Sequence, residues 1–311
     1  MKVPEGAWDS HVHVIDEVCR MWILNLPEYT QVDWSQERFP FRPDYHYRPK
    51  RADLEDLLRF EKTINVPNVC IVAVSVYGTD NRSILDALER LKGKGRAVVT
   101  IDPVKTTDDE LLEMHKLGAR AARINLASKS QNLTKDDFAH VLEQYANRLR
   151  RLRWSLQLYI RLHQVQTIAD IIPSLGIPVI IDHLGHPSSS SPMSEQPGYV
   201  EFVSLLKQKL IYTKLSAVYR FAGVPDVDSV VREILRVSPT QVVWASDWPH
   251  TGGMGMLVDN DRTKHQDFRK VDDKAWVAQC LDWCDGDEGL ARRIWVDNPR
   301  RLWQADDICD R

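Results

Sequence analysis

The chain is predicted to fold as one closed (β/α)8 barrel, the TIM-barrel architecture, with an aromatic loop inserted after the first strand. Three observations carry that prediction. Eight short runs rich in Val and Ile recur along 311 residues, and their apolar residues are mostly continuous rather than alternating, as in strands covered on both faces. Stretches with helical apolar spacing lie between them. No Pro-, Gly- or Ser-rich linker long enough to separate domains breaks the alternation, so residues 1–311 read as one barrel domain.

The strand candidates, in order, are Ala7–Val14, Val69–Val76, Ala97–Ile101, Ala119–Ile124, Trp154–Ile160, Pro178–Asp182, Leu210–Ser216 and Gln241–Ser246. The helix candidates begin with Asp53–Thr63, where Leu54, Leu57, Leu58 and Glu61 share helical spacing, and Ile84–Leu91. Asp108–Lys116 opens with acids, which suit the positive end of a helix dipole. Lys135–Arg151, Gln164–Ser174, Tyr199–Lys207, Asp226–Val237 and Asp272–Cys284 complete the set. An open doubly wound sheet is the alternative fold. With no Gly-x-Gly-x-x-Gly after the first strand and no phosphate loop, nucleotide binding has no support.

Three connections stand out. Residues 14–53 carry Trp22, Tyr29, Trp34, Phe39, Phe41, Tyr45 and Tyr47, too aromatic for a disordered linker, and are expected to cap a barrel mouth. The serine-rich stretch Pro187–Pro197 and the glycine-rich Thr251–Gly255 both follow strands, on the side where barrels keep their active sites. Residues 285–311 read as a tail of one or two helices with an acidic, dispensable terminus.

Composition narrows the partners. The chain is 43% hydrophobic and 27% charged, an ordinary globular make-up. Its 41 Lys plus Arg against 44 Asp plus Glu give a net charge of −3, so no overall basic field exists to hold nucleic acid or an anionic membrane. No secretory signal is expected at the N-terminus, and no apolar run is long enough for a membrane span. Five scattered cysteines without a Cys-x-x-Cys pair suggest a reduced, cytoplasmic chain. Cys280 and Cys284, one helical turn apart near Trp276 and Trp283, are expected to pack in the core. Composition leaves the oligomeric state open.

Chemistry concentrates at strand ends. His11 and His13 close the first strand, and a period of two sends both to one face. His183 ends the sixth strand in IIDHLGH, and Asp247 ends the eighth in VVWASDWPH. Each residue alone is more readily a hydrogen-bonded structural group. Together, four ionisable residues from three strands would meet at one barrel mouth.

These motifs, WDSHVHVID, IDHLGHP and WASDWPH, resemble those of the amidohydrolase superfamily, in the branch of 2-pyrone-4,6-dicarboxylate lactonase and sugar-acid lactonases. SVYGTDN, RAARIN and TKLS extend the resemblance over nearly the whole chain. The resemblance implies hydrolysis of a lactone, with Asp247 as general base towards water and His11, His13 and His183 polarising the carbonyl. The opposite assignment makes the same four residues ligands of one zinc ion. A bridging Lys or Glu on the fourth strand and a His on the fifth, which the two-metal sites of that superfamily use, are absent from RINL and WSLQLYI. His163 is assigned a structural role. The resemblance therefore favours no metal, with a single zinc as the competitor.

By the same match, Tyr47, Ser75, Arg123, Lys129, Tyr159 and Arg220 take positions that would bind substrate carboxylates. The competing role for Arg123 and Arg220 is an ion pair inside or at the rim of the barrel. Lys129 and His186 stand where the pyrone-dicarboxylate branch carries arginines, so a small anionic lactone, carboxylated or hydroxylated, is expected rather than that one substrate. His186 and His250 flank the site and either contact substrate or brace loops, and Trp248 with Pro249 would hold Asp247 by packing. Two rival functions remain: zinc-dependent decarboxylation of an aromatic acid, and a non-catalytic barrel that binds an organic acid.

Overall fold

The computed structural model describes residues 2–16, 39–126 and 134–306. Eight parallel strands follow one another around a single sheet in sequence order. They are β1 (Trp8–Val12), β2 (Asn68–Val72), β3 (Gly95–Val99), β4 (Ala119–Asn125), β5 (Ser155–Tyr159), β6 (Val179–Ile181), β7 (Ile211–Leu215) and β8 (Val242–Trp244). Each predicted run overlaps one of them; the second and third strands begin one and two residues before their runs, and the fourth ends one residue after its run. At the mouth β1 and β8 meet through two backbone bonds, Asp247 N–H to the His11 carbonyl at 3.0 Å and His13 N–H to the Trp248 carbonyl at 2.9 Å. The same two bonds set the catalytic candidates of the first and last strands side by side.

Eight helices cover the strands: α1 (Leu54–Ile64), α2 (Arg82–Leu91), α3 (Asp108–Leu117), α4 (Lys135–Leu149), α5 (Leu162–Ile168), α6 (Tyr199–Lys207), α7 (Val227–Val237) and α8 (Asp273–Asp282). Their starts are written into the sequence. Asp53 with Asp56, Thr107 with Glu110 and Thr134 with Asp137 form reciprocal capping boxes, each satisfying backbone N–H groups that have no intrahelical acceptor. Of the four residues at helical spacing on α1, Leu54, Leu57 and Glu61 are buried and Leu58 is 38% exposed. Gly198 precedes α6 at φ +89°, where a Cβ would stand 2.0 Å from the Leu162 carbonyl oxygen, so α6 can begin against α5 only with glycine.

Two apolar layers result. Alternate strand residues such as Val69, Ile71, Leu156 and Ile181 pack outward under the helices, while Trp8, Cys70, Val72, Val98, Ala121, Ile180, Tyr212 and Val243 fill the barrel interior. Past α8 the chain forms α9 (Glu288–Arg292), a π-helical turn over Arg293–Asp297 and α10 (Asn298–Leu302). Leu302 and Trp303 then join the interior cluster from below. The Trp303 indole donates to Ser10 Oγ at 3.2 Å, and Arg96 donates to the carbonyls of Trp303 and Ala305 at 3.2 and 3.0 Å. Residues 298–305 thus form the floor of the barrel.

Above the mouth, Arg48–Pro49 pairs with His265–Gln266 in a short parallel ladder that ties the segment after β1 to the segment after β8. Phe39, Phe41 and Tyr47 are buried with Ile15, Val74, Val76 and Tyr77. Trp22, Tyr29 and Trp34 of the expected aromatic loop lie outside the described residues, as do Lys129, Cys19, Cys309 and residues 307–311. Cys280 and Cys284 are buried and unpaired, in the core as expected. No described helix is long and apolar enough to cross a membrane.

Candidate active site

His11, His13, His183 and Asp247 converge at the carboxyl end of the barrel, all buried. Asp247 Oδ1 lies 3.4 Å from His11 Nε2 and 3.3 Å from His13 Nε2. The His11 ring centroid is 4.9 Å from that of His13 and 4.8 Å from that of His183. The backbone bends sharply to achieve this. His183, Leu184, His186, Ala217, Asp247 and His250 all sit at positive φ between 49° and 70°, a left-handed region costly for side chains with a Cβ, and all follow β6, β7 or β8.

Every ring is held from behind. His13 Nδ1 donates to the Val72 carbonyl at 2.7 Å, so its Nε2 faces Asp247. His183 Nδ1 meets Ser216 Oγ at 2.7 Å, and its Nε2 points into the site with no hydrogen-bond partner among the described residues. His11 Nδ1 lies 3.2 Å from Lys214 Nζ and 3.4 Å from Asp182 Oδ1. Beneath the rings runs a buried polar layer. Lys214 donates to Gln157 Oε1 at 2.7 Å, Gln157 Nε2 donates to Asp182 Oδ2 at 2.9 Å, and Arg123 Nη2 stands 3.5 Å from the same oxygen.

The protonation states follow from burial and neighbours. Burial first, then the Lys214 cation, lowers His11 to about 3, and burial likewise holds His183 well below the usual imidazole range, so both rings are neutral at neutral pH. Burial alone would raise Asp247; the surrounding imidazoles, His183 foremost, and the Arg220 guanidinium outweigh it and keep the carboxyl well below its ordinary range. Asp182 is likewise held ionised against burial by Lys214 and His11. The site therefore offers an anionic carboxylate beside the neutral rings of His11 and His183.

Arg220 and Tyr159 stand at the rim. Arg220 Nη1 donates to the Tyr159 hydroxyl at 2.8 Å, and Nη2 reaches Asp247 Oδ2 at 3.5 Å. The Tyr159 ring is flanked by His183 and His186, each at 5.7 Å, and by Arg123 at 5.4 Å. His186 faces Arg161 Nη1 at 3.5 Å; burial, Arg220 and Arg161 push it down to about 4. Tyr47 is buried beside the mouth, its phenol among the groups acting on Arg220. Ser75 is exposed and lines one cleft with Arg123, Tyr77 and Asn125. Arg123 itself donates to the Ala73 carbonyl at 2.9 Å, so one arm of its guanidinium is committed to the barrel wall. His250 Nε2 meets Asp273 Oδ2 at 3.0 Å, a tie between the loop after β8 and α8.

Sequence reasoning missed Tyr219, whose hydroxyl donates to Asp247 Oδ2 at 2.5 Å. With Oδ2 held there, Oδ1 is the oxygen left facing the histidines. Ser216, Gln157, Asp182 and Lys214 were passed over as well, although polar residues inside apolar strands are themselves a signal, because a buried polar group must find a partner.

A sequence profile of the amidohydrolase family (Amidohydro_2) matches residues 8–305. The chain belongs to this family. Among curated relatives, proteins named 4-sulfomuconolactone hydrolase from Hydrogenophaga intermedia and 2-pyrone-4,6-dicarboxylate hydrolase from Comamonas testosteroni are 27% and 24% identical. The matches span 97% and 99% of this chain and 89% and 93% of the relatives. A solved structure from Pseudomonas putida, proposed to be a 2-pyrone-4,6-dicarboxylic acid hydrolase, superposes with a TM-score of 0.73 at 25% identity, covering 97% of this chain and 98% of that one.

By spacing alone, three of these side chains stand close enough to hold a single divalent ion, provided that the imidazole nitrogens facing it are bare. His11, His183 and Asp247 each offer a ligand atom, all within 4.8 Å of one another. Those residues would hold the ion, which would supply Lewis-acid polarisation of a substrate carbonyl.

Behind β1 a second acid pair bears on stability. Asp9 Oδ1 accepts from the N–H groups of His11 and Ser246 at 3.2 and 3.0 Å, and burial raises Asp9 to about 7. Burial, then the Asp9 charge, pushes Glu61 on α1 well above its usual range. A group raised in the fold stabilises fully below its unfolded value, and that contribution is lost as pH rises through the folded value. Relative to Glu61→Gln, which cannot titrate, the wild type should lose up to about 1.4 kcal/mol of stability per pH unit from pH ~5 upward. Chemical denaturation of both proteins across a pH series checks this; parallel curves would contradict it.

Proposed function

We propose that this amidohydrolase-family enzyme opens a small anionic lactone by water attack, with Asp247 as the base and the buried histidines as the hydrogen-bonding wall around the carbonyl oxygen. The observation that carries the reading is the position of Asp247 Oδ1, 3.3–3.4 Å from two imidazole nitrogens while Oδ2 is tied to Tyr219. A water bonded to Oδ1 gives up its proton there as its oxygen bonds to the lactone carbon. The N–H groups of the neutral His11 and His183 rings stabilise the oxyanion that forms. The ring C–O bond then breaks and the proton passes from Asp247 to the departing oxygen, so the product is a ring-opened acid. The proton transfers run on side chains, and we infer that catalysis needs no resident metal.

The names of the relatives support a lactone substrate. Charge supports an anionic one: Arg220 and Arg161 stand around a neutral His186 at the rim. Arg220→Ala should raise KM for a carboxylated lactone about 10- to 100-fold, the worth of a charge-assisted hydrogen bond, with a much smaller effect on a neutral lactone. Equal effects on both would contradict the role of Arg220. The functional test is ultraviolet-monitored hydrolysis of carboxylated pyrones, sulfonated and carboxylated muconolactones and sugar lactones, before and after chelation. Chelator-insensitive turnover supports the reading. Chelator-sensitive turnover would recast His11, His183 and Asp247 as metal ligands, and no turnover of any lactone would reject the substrate class.

A further inference from the structure

We propose that Lys214 is a positioning residue that fixes His11 as the tautomer protonated on Nε2, so that this ring enters the site as a hydrogen-bond donor and not as a metal ligand. The inference deepens, and rests on, the reading of His11 as an oxyanion donor. It starts from a conflict at His11 Nδ1, which has Lys214 Nζ at 3.2 Å and Asp182 Oδ1 at 3.4 Å. The two neighbours demand opposite tautomers. An ammonium can only donate, which requires a bare Nδ1 and puts the single ring proton on Nε2. A carboxylate can only accept, which requires Nδ1–H and leaves Nε2 bare for a metal.

Donor counting resolves the conflict. Lys214 carries three N–H bonds and has three acceptors in reach: Gln157 Oε1 at 2.7 Å, His11 Nδ1 at 3.2 Å and Asp182 Oδ1 at 3.4 Å. The Gln157 amide cannot be reversed, because its NH2 would then face the ammonium and its carbonyl oxygen would face Asp182 Oδ2, 2.9 Å away. The Asp182 charge is balanced without a proton from His11: Lys214 Nζ stands 3.4 Å from Oδ1 as an ion-pair partner, Gln157 donates to Oδ2, and Arg123 Nη2 stands 3.5 Å from that same oxygen. A proton on His11 Nδ1 would face the Lys214 ammonium, which stands nearer to that nitrogen (3.2 Å) than the Asp182 oxygen does (3.4 Å). All four side chains are fully buried, and a donor without an acceptor there is costly. The interior face of the Lys214 ammonium rests over the Trp303 ring at 5.4 Å, so the barrel floor keeps the lysine in place.

The tautomer sets what His11 Nε2 can do. In the Nε2–H form the atom nearest Asp247 is a donor, ready for carbonyl oxygen and closed to a metal. Zinc binding through Nε2 would require the proton to move to Nδ1, against Lys214. Replacing Lys214 by Met removes the ammonium and frees Asp182 Oδ1 to accept from Nδ1–H, the carboxylate–histidine arrangement that prepares an imidazole for metal.

The test is nitrogen-15 NMR of histidine-labelled protein, with the His11 signals assigned by their loss in His11→Gln. Wild type should show a protonated Nε2 and an unprotonated Nδ1, and Lys214→Arg, which keeps a cation at the position, should show the same. Lys214→Met should reverse the pattern and tighten zinc binding by calorimetry about 10- to 100-fold. A wild-type His11 protonated on Nδ1 overturns the proposal, and so does a Lys214→Met protein with unchanged tautomer and zinc affinity. Should Lys214→Met fail to fold, the wild-type and Lys214→Arg spectra decide. Neither readout uses lactone turnover, so a protein with the Nε2–H ring that opens no lactone supports the role of Lys214 and rejects the substrate class alone.

Discussion

Asp247→Asn is expected to lower kcat for lactone opening about 10²- to 10⁴-fold, with the fold and most of the ligand affinity retained. The substitution is isosteric, so its amide oxygen can still accept from Tyr219 and the main chain can keep the bonds that join Asp247 to His11 and His250. What disappears is the proton acceptor beside the imidazoles. Because the interaction matters for moving a proton and little for holding the ground state, KM should change far less than kcat. Steady-state kinetics on the best lactone, with circular dichroism to confirm folding, checks the expectation. Near-wild-type kcat would remove Asp247 from the chemistry.

Trp303→Ala should destabilise the protein by about 3–5 kcal/mol, the usual range for truncating a buried tryptophan. Trp303 is fully buried at the closed end of the barrel, donates to Ser10 and lies under Lys214. The cavity would open directly beneath the polar layer that supports His11, so lower stability should come with lower activity at temperatures where the variant is still folded. A urea denaturation midpoint close to wild type would show that residues 298–305 are not the barrel floor described above.

The alternation of strands and helices was readable because each barrel strand is buried on both faces and so writes itself as a continuous apolar run. The chemistry at the mouth was readable for a related reason: His11, His13, His183 and Asp247 are ionisable residues closing otherwise apolar runs. The period of two placed His11 and His13 together. It did not foresee the register shift between Asp9 and Val12, which lets Ser10 reach Trp303 while His11 still faces Asp247. Tyr219 escaped because it lies in a short turn after β7, where no periodicity assigns a direction. Gln157, Asp182 and Lys214 carry a visible signal, each a polar residue within or directly after an apolar strand, but only three dimensions show that they are one another's partners. The tail was harder still. Nothing in Asp285–Arg311 distinguishes a barrel floor from an ordinary terminal helix except its two tryptophans, Trp295 and Trp303, both fully buried.

Isotope labelling separates attack on the lactone carbonyl by water held at Asp247 from chemistry that leaves water out of the product. A single turnover of a carboxylated lactone in water enriched in oxygen-18 should give a ring-opened acid with one labelled oxygen, located in the new carboxylate, and none with Asp247→Asn on the same timescale. An unlabelled product, such as a rearranged lactone or a decarboxylated acid, would rule out water attack at this site.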